Sequence, residues 1–144
     1  MPQAQTYRNH RRYYWPHHFF VQPVLIVYFT VQVRRFFEAP TFDNGLLTAV
    51  ALALVVFAVT ARAMALKAQN RVIRLEERLR LATLMPDEER GRIDDLSTRH
   101  LVGLRFASDA EVADLARRCL SGELQSSEDV KKNVQDWRPD YSRV

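Results

Sequence analysis

DNGLLTAVALALVVFAVTA, Asp43 to Ala61, runs straight into RAMALKAQNRVIRLEERLRLATLM, Arg62 to Met85, and the reading of this stretch decides the fold. No charged residue falls between Asn44 and Ala61, and no Gly or Pro interrupts the chain from Leu46 until Pro86. Asp43, Asn44 and Gly45 supply a candidate cap. As one helix, the uncharged part spans roughly 27 Å at ~1.5 Å per residue, close to the ~30 Å hydrocarbon core of a bilayer. The stretch therefore predicts a single long helix, half in a membrane and half in water. Its alternative is the buried helix of a soluble protein.

The rest of the chain is consistent with that division. With 144 residues there is room for one small domain beside membrane segments. The mean hydropathy of -0.26 averages apolar blocks with a highly charged second half. Residues 1–45 carry a net +3, residues 46–85 +4 and residues 86–144 -3. The basic pI thus belongs to the segments beside the apolar runs, a pattern that suits anionic headgroups better than nucleic acid. Cys119 is the single cysteine, which excludes an intramolecular disulfide and fits a reducing compartment. No cleavable signal peptide is expected, because the apolar run near the N-terminus is followed by Arg34, Arg35, Phe36 and Phe37 and not by small residues.

Upstream, residues 1–18 form a basic and aromatic segment with Arg8, Arg11, Arg12, Tyr13, Tyr14 and Trp15, side chains suited to the headgroup level. Pro16 suits a first helical turn. His10, His17 and His18 raise a metal reading, but adjacent histidines point about 100° apart on a helix, so interfacial polar residues are the better one. FFVQPVLIVYFTVQV, Phe19 to Val33, is the first candidate span, closed by Arg34 and Arg35. Pro23 predicts a kink or a carbonyl left for a neighbour. Gln22 and Gln32 face within ~80° of each other, as structural bonds between helices and not as a solute path. FFEAPTFDN, Phe36 to Asn44, is too short for a domain and makes the spans antiparallel neighbours. Gly45, Ala49, Ala53, Ala61 and Ala65 form a small-residue ridge for helix packing, against the first span or a second copy. Basic residues flank the spans mainly on the side of the two termini, so both termini are expected in the cytoplasm. Arg62, Lys67, Arg71 and Trp15 are the candidate headgroup contacts.

Beyond Arg62, the residues Ala61, Ala65, Ala68, Val72, Leu75, Leu79 and Ala82 repeat at spacings of four and three, a heptad seam. Either this face packs on the C-terminal domain or it forms a homotypic coiled coil. Glu76 and Arg80 have the spacing of a favourable ion pair. Lys67, Arg71, Arg74 and Arg78 make a basic row that feels lipid charge throughout only if the helix lies flat. Pro86 with Asp87, Glu88 and Glu89 starts a short helix. Ser97 is a cap for a helix with Leu101, Leu104 and Phe106. Ser108 and Glu111 have capping-box spacing. Val112, Leu115, Ala116, Cys119 and Leu120 form an apolar face ended by Gly122, which makes Cys119 a core residue. A last helix is expected from Ser126 or Ser127 through Val130, Val134 and Trp137 to Pro139. Its core is small, so the domain should lean on the long helix or on a second subunit. Trp137 and its tail, with Asp140, Tyr141 and Arg143 as polar contacts, should fold back on these helices and not hang free as a peptide for a partner.

No phosphate loop, CxxC or HExxH occurs, the acidic clusters lack calcium-loop spacing, and His100 has no Cys or Ser at a telling distance. The sequence nominates no catalytic, cofactor-binding or metal residue. QNRVIRLEERLRL (Gln69 to Leu81), LRFASD (Leu104 to Asp109) and NVQDWRPDYSRV (Asn133 to Val144) resemble a family of small bacterial two-span membrane proteins of unknown function, some members of which carry automatic permease labels. The resemblance covers nearly all of the chain after the first span. It implies a membrane protein with a cytoplasmic helical end and brings no activity, cofactor or site residue. Two spans without ionisable interior residues do not make a transporter alone.

The expected fold is thus an all-α membrane protein. Residues 1–18 are interfacial. Residues 19–62 form a transmembrane hairpin, with spans at about 17–35 and 44–64 and a loop at 36–43. Residues 63–85 form a juxtamembrane amphipathic helix, and residues 86–144 a cytoplasmic bundle of short helices with a tail. The expected role is non-enzymatic, a scaffold in the bacterial inner membrane binding through its cytoplasmic helices. A small accessory subunit acting through its spans is the alternative. Expected partners are membrane lipids and a protein or a second copy, with no nucleic acid and no cofactor. The interaction residues are Val72, Leu75, Leu79 and Trp137.

Overall fold

The computed structural model describes residues 6–9 and 14–140. The expectations for His10, Arg11, Arg12, Tyr13, Tyr141 and Arg143 lie outside the described residues. Among the described residues the fold is all-helical, with one isolated bridge between extended segments. A π-helical turn, Pro16–Val21, leads into α1 (Gln22–Glu38), followed by α2 (Phe42–Leu84), α3 (Asp87–Arg90), a 3₁₀ turn (Ile93–Asp95), α4 (Thr98–Leu104), α5 (Val112–Leu120) and α6 (Ser127–Asn133). The described residues divide into two compact units, 14–66 and a second that joins 6–9 to 67–140.

In the first unit, Pro23 lacks an N–H to give its own turn. The helix accommodates it by widening just upstream, where the N–H of Gln22 bonds to the carbonyl of His17, five residues back. The helix α2 starts one residue before the candidate cap. Thr41 Oγ1 accepts from the N–H of Asn44 at 3.2 Å and so caps it, while Asp43 sits in the first turn where the dipole favours an acid. Asn44 Nδ2 donates to the carbonyl of Ala39 at 2.8 Å, and Thr48 Oγ1 donates to that of Gln32 at 3.1 Å. Gln32 is buried, and among the described residues its Oε1 has no hydrogen-bond donor.

Among the described residues α2 is the one helix long and apolar enough to cross a membrane, and its apolar stretch is almost wholly uncovered by the chain. The small side chains it does bury are Ala51 and Ala58. Ala49 and Ala53 lie about half a turn away, at ~100° per residue, and are exposed, as is Ala61; Gly45 and Ala65 are half-buried. Within this chain, then, the small residues that pack are Ala51 and Ala58, and the ridge at Ala49, Ala53 and Ala61 is left uncovered.

The second unit has one core. Leu81 and Met85 from the end of α2 join Leu96, Leu101, Leu104, Val112, Leu115, Cys119, Leu124 and Val130. The short helices thus lean on α2, because alone they bury too little apolar surface. Gly103 lets α4 and α6 approach: a Cβ there would stand 2.7 Å from Val130 Cβ. Caps set the short helices. Ser97 accepts from the N–H of His100, and Ser126 with Asp129 forms a reciprocal box at the head of α6. Gly122, at φ 83°, closes α5 while the N–H groups of Gly122 and Glu123 return to the carbonyls of Cys119 and Arg118.

Three expectations fail here. The Ser108–Glu111 box forms only in half: Glu111 Oε1 accepts from the N–H of Ser108 at 3.4 Å, but Ser108 Oγ has no partner among the described residues. Glu111 is drawn elsewhere, accepting from the N–H groups of Gln135 and Asp136 at 3.1 Å each. The helix bearing Phe106 ends at Leu104, and α6 ends at Asn133 instead of reaching Trp137. Val134 is already extended, because the chain from there pairs with residues 106–108.

Candidate functional site

Ile73, Glu77, Leu81 and Met85 recur every four positions and are all buried, and Leu81 and Met85 belong to the core of the C-terminal helices. A glutamate in such a row needs partners, since a buried charge left alone is costly. Glu77 is 4 % exposed, with Arg80 Nη1 3.0 Å from its Oε2 and Arg138 Nη1 3.7 Å from its Oε1. Arg80 also donates through Nε to Asp109 Oδ1 at 2.7 Å and through Nη2 to the carbonyl of Ala107 at 2.7 Å. Burial raises the pKa of Glu77 above the ordinary carboxylate value, while Arg80 and Arg138 pull it down. The Glu76–Arg80 pair does not form, because Arg80 is turned to Glu77 and Asp109 and Glu76 is exposed.

The same junction holds the tail. Ala107 and Trp137 form an antiparallel bridge: Ser108 N–H donates to the Asp136 carbonyl at 3.0 Å, and Arg138 N–H to that of Phe106 at 2.7 Å. The Trp137 ring lies 5.0 Å from that of Phe106, a fully buried side chain, and its Nε1 donates to the Val134 carbonyl. Arg105 stacks over Phe106 at 4.6 Å and pairs with Asp140 at 3.5 Å. The tail as far as Asp140 is thus docked.

Further ion pairs tie the unit together. Arg78 reaches Asp94 at 3.1 Å, Arg117 reaches Glu89 at 2.9 Å, and Arg118 Nη2 contacts both Glu123 and Asn133. From the other end of the sequence, Tyr7 OH donates to Glu128 of α6 at 2.6 Å.

The other sequence candidates are spread along the chain. Val72, Leu75 and Leu79 do not pack on the C-terminal helices; they are exposed on the opposite side of α2 from Glu77 and Leu81. Lys67, Arg71 and Trp15 are exposed and Arg62 is half-buried. Cys119 lies in the core, where burial pushes its thiol up to about 11, so it stays protonated at neutral pH. Among the described residues no three His, Cys, Asp or Glu side chains gather as metal ligands. Sequence reasoning passed over Glu77, Arg138 and Asp109. The signal for Glu77 was present in the four-residue row through Ile73, Leu81 and Met85, but the stronger heptad beside it masked the row.

The family described as "Family of unknown function (DUF6526)" matches the chain over residues 1–144. The chain belongs to this family. No curated protein and no solved structure matches it.

Proposed function

We propose that this chain is a non-enzymatic anchor and scaffold of the bacterial inner membrane. It crosses twice, keeps both termini in the cytoplasm and binds a partner through the helices from Pro86 to Trp137. The observation that carries the reading is the bond from Tyr7 to Glu128. Two hydrogen-bonded groups lie on the same side of a bilayer, so the chain between them crosses an even number of times. If the uncovered apolar half of α2 crosses, the segment through α1 crosses too. Positive residues beside the spans put that shared side in the cytoplasm. The exposed Val72, Leu75 and Leu79 support a coiled-coil contact as part of the same role.

A second reading, an accessory subunit acting through its spans, is favoured by the exposed Ala49 and Ala53 and by the donor-less Gln32 Oε1. Reporter fusions at residue 40 and at the C-terminus test the topology; a cytoplasmic residue 40 or a periplasmic C-terminus overturns it. Crosslinked pull-downs from membranes then separate the roles. Partners kept when the second span is replaced by an unrelated apolar helix support the scaffold. Partners lost with that span, but kept when α4 to α6 are deleted, give the accessory subunit.

A further inference from the structure

Among the described residues, nothing covers the face of α2 opposite the C-terminal core. Ala68, Val72, Leu75, Leu79 and Ala82 follow a heptad, and the three large members are 54 %, 61 % and 70 % exposed. With Val72 and Leu79 as a positions and Ala68, Leu75 and Ala82 as d positions, the flanks are unlike. Arg71 and Arg78 line the g edge, and Gln69, Glu76 and Thr83 the e edge. Arg71 and Glu76 are exposed, and among the described residues neither has an ion-pair partner in its own chain. Arg78 is already held by Asp94.

We propose that this face binds the same face of a second copy, in parallel and in register, with Arg71 of each helix paired to Glu76 of the other. The charge pattern selects this occupant. In a parallel pair the g edge of one helix meets the e edge of its partner, which sets Arg71 against Glu76 twice and leaves Arg78 beside the neutral Thr83. An antiparallel pair sets the arginine edges against each other. A lipid surface favours cations on both flanks of an apolar stripe, whereas here one flank carries Glu76. The alanines at the ends make the contact short and reversible, so it tightens with concentration. The contact rests on the coiled-coil reading proposed above and uses the side of α2 away from Glu77, so its failure leaves the binding role of the C-terminal helices standing.

Cysteine crosslinking of the full chain in detergent tests it. In a parallel pair each a residue meets its own copy within disulfide reach, so Val72→Cys alone and Leu79→Cys alone each form dimers under mild oxidation. Arg74→Cys, outside the seam, and the wild type, with only the buried Cys119, stay monomeric. Arg71→Glu or Glu76→Arg, each added to Val72→Cys, slows crosslinking on the order of threefold to tenfold. The double exchange restores it. Four results overturn the proposal. One is dimer formation only when a Leu75→Cys chain is mixed with a Val72→Cys or a Leu79→Cys chain, an a position against a d position, which is the antiparallel pair. Another is no crosslink above wild type. The third is a double exchange that fails to rescue. The fourth is an uncrosslinked chain whose label at position 72 is quenched by a lipid-borne quencher in anionic vesicles, which gives the face to the membrane.

Discussion

In the first half of α2, Leu52, Leu54, Val56 and Phe57 are exposed, whereas farther along the same helix a glutamate is buried and Leu81 is wholly covered. Hydrophobicity alone orders these positions the other way round. The difference lies in what each half packs on. Around Leu81 and Glu77, the helices from α4 to α6 supply an apolar core, and the tail supplies Arg138, which joins Arg80 of α2 itself at the glutamate. Around Leu54 the first unit offers little protein surface, and the apolar side chains suit a hydrocarbon phase, in line with the anchoring proposed above. One helix thus carries an uncovered apolar half and a half that packs on the C-terminal core.

The sharpest way to break this contrast is to shorten one leucine in each half. Leu81→Ala, at a fully buried site, should destabilise the C-terminal helices by about 2–5 kcal/mol. Leu54→Ala should change them by no more than about 0.5 kcal/mol. Hydrogen exchange of the amides in α4 to α6 reads both. Equal losses would mean that the two halves share one core after all.

A second variant probes how tightly that core is closed. Gly103→Ala puts a methyl 2.7 Å from Val130 Cβ and 3.1 Å from the Ser127 carbonyl, both on α6. We expect a loss of about 1–3 kcal/mol. At Gly91 a Cβ has nothing within 4 Å, so Gly91→Ala is the matching control. Thermal melts of the detergent-solubilised chain compare them, and a neutral Gly103→Ala would show that α4 and α6 pack more loosely than described.

The smallest effect is a pH slope. Burial raises the Glu77 pKa, so from its ordinary value of 4.5 upward the folded chain holds a proton that the unfolded chain has lost. The stability tied to that proton is complete below 4.5 and is lost as pH rises through the raised value. Asp129 runs the other way. The Ser126 hydroxyl, together with backbone N–H groups, lowers its pKa from 3.8, so its contribution is lost as pH falls through the lowered value. Glu77→Gln should flatten the slope above 4.5 and leave the acid limb in place. Denaturant titrations across pH 3 to 7 decide; an unchanged upper slope would place the proton elsewhere.

Much of the helical plan was legible. The uncharged run after Asn44, the apolar face from Val112 to Leu120, and the stops at Pro86 and Gly122 are local signals, written in spacing and in backbone chemistry. Two readings failed where local signals competed. The stripe from Val130 to Trp137 has helical spacing, yet the helix ends at Asn133 because Glu111 and the backbone of Phe106 and Ser108 take up the backbone N–H and C=O groups that follow. Ser126 and Asp129 form the full capping box, while Ser108 and Glu111 form half of one, since Glu111 also serves a distant segment.

The sequence by itself determined that α2 is long, that its first half is apolar all round and that its second half is two-faced, because helix period and charge placement are properties of neighbours along the chain. Only the tertiary structure decided which face of the second half is covered. Val72, Leu75 and Leu79 make the more regular apolar seam, yet the core closes over Leu81 and Met85, with Glu77 buried one turn before them. The arginine that neutralises Glu77 from outside α2, Arg138, sits on the tail, far away in sequence, as do the helices that bury it. A spacing rule counts residues along one helix; it carries no information about which surface arrives from elsewhere with the matching shape and charge.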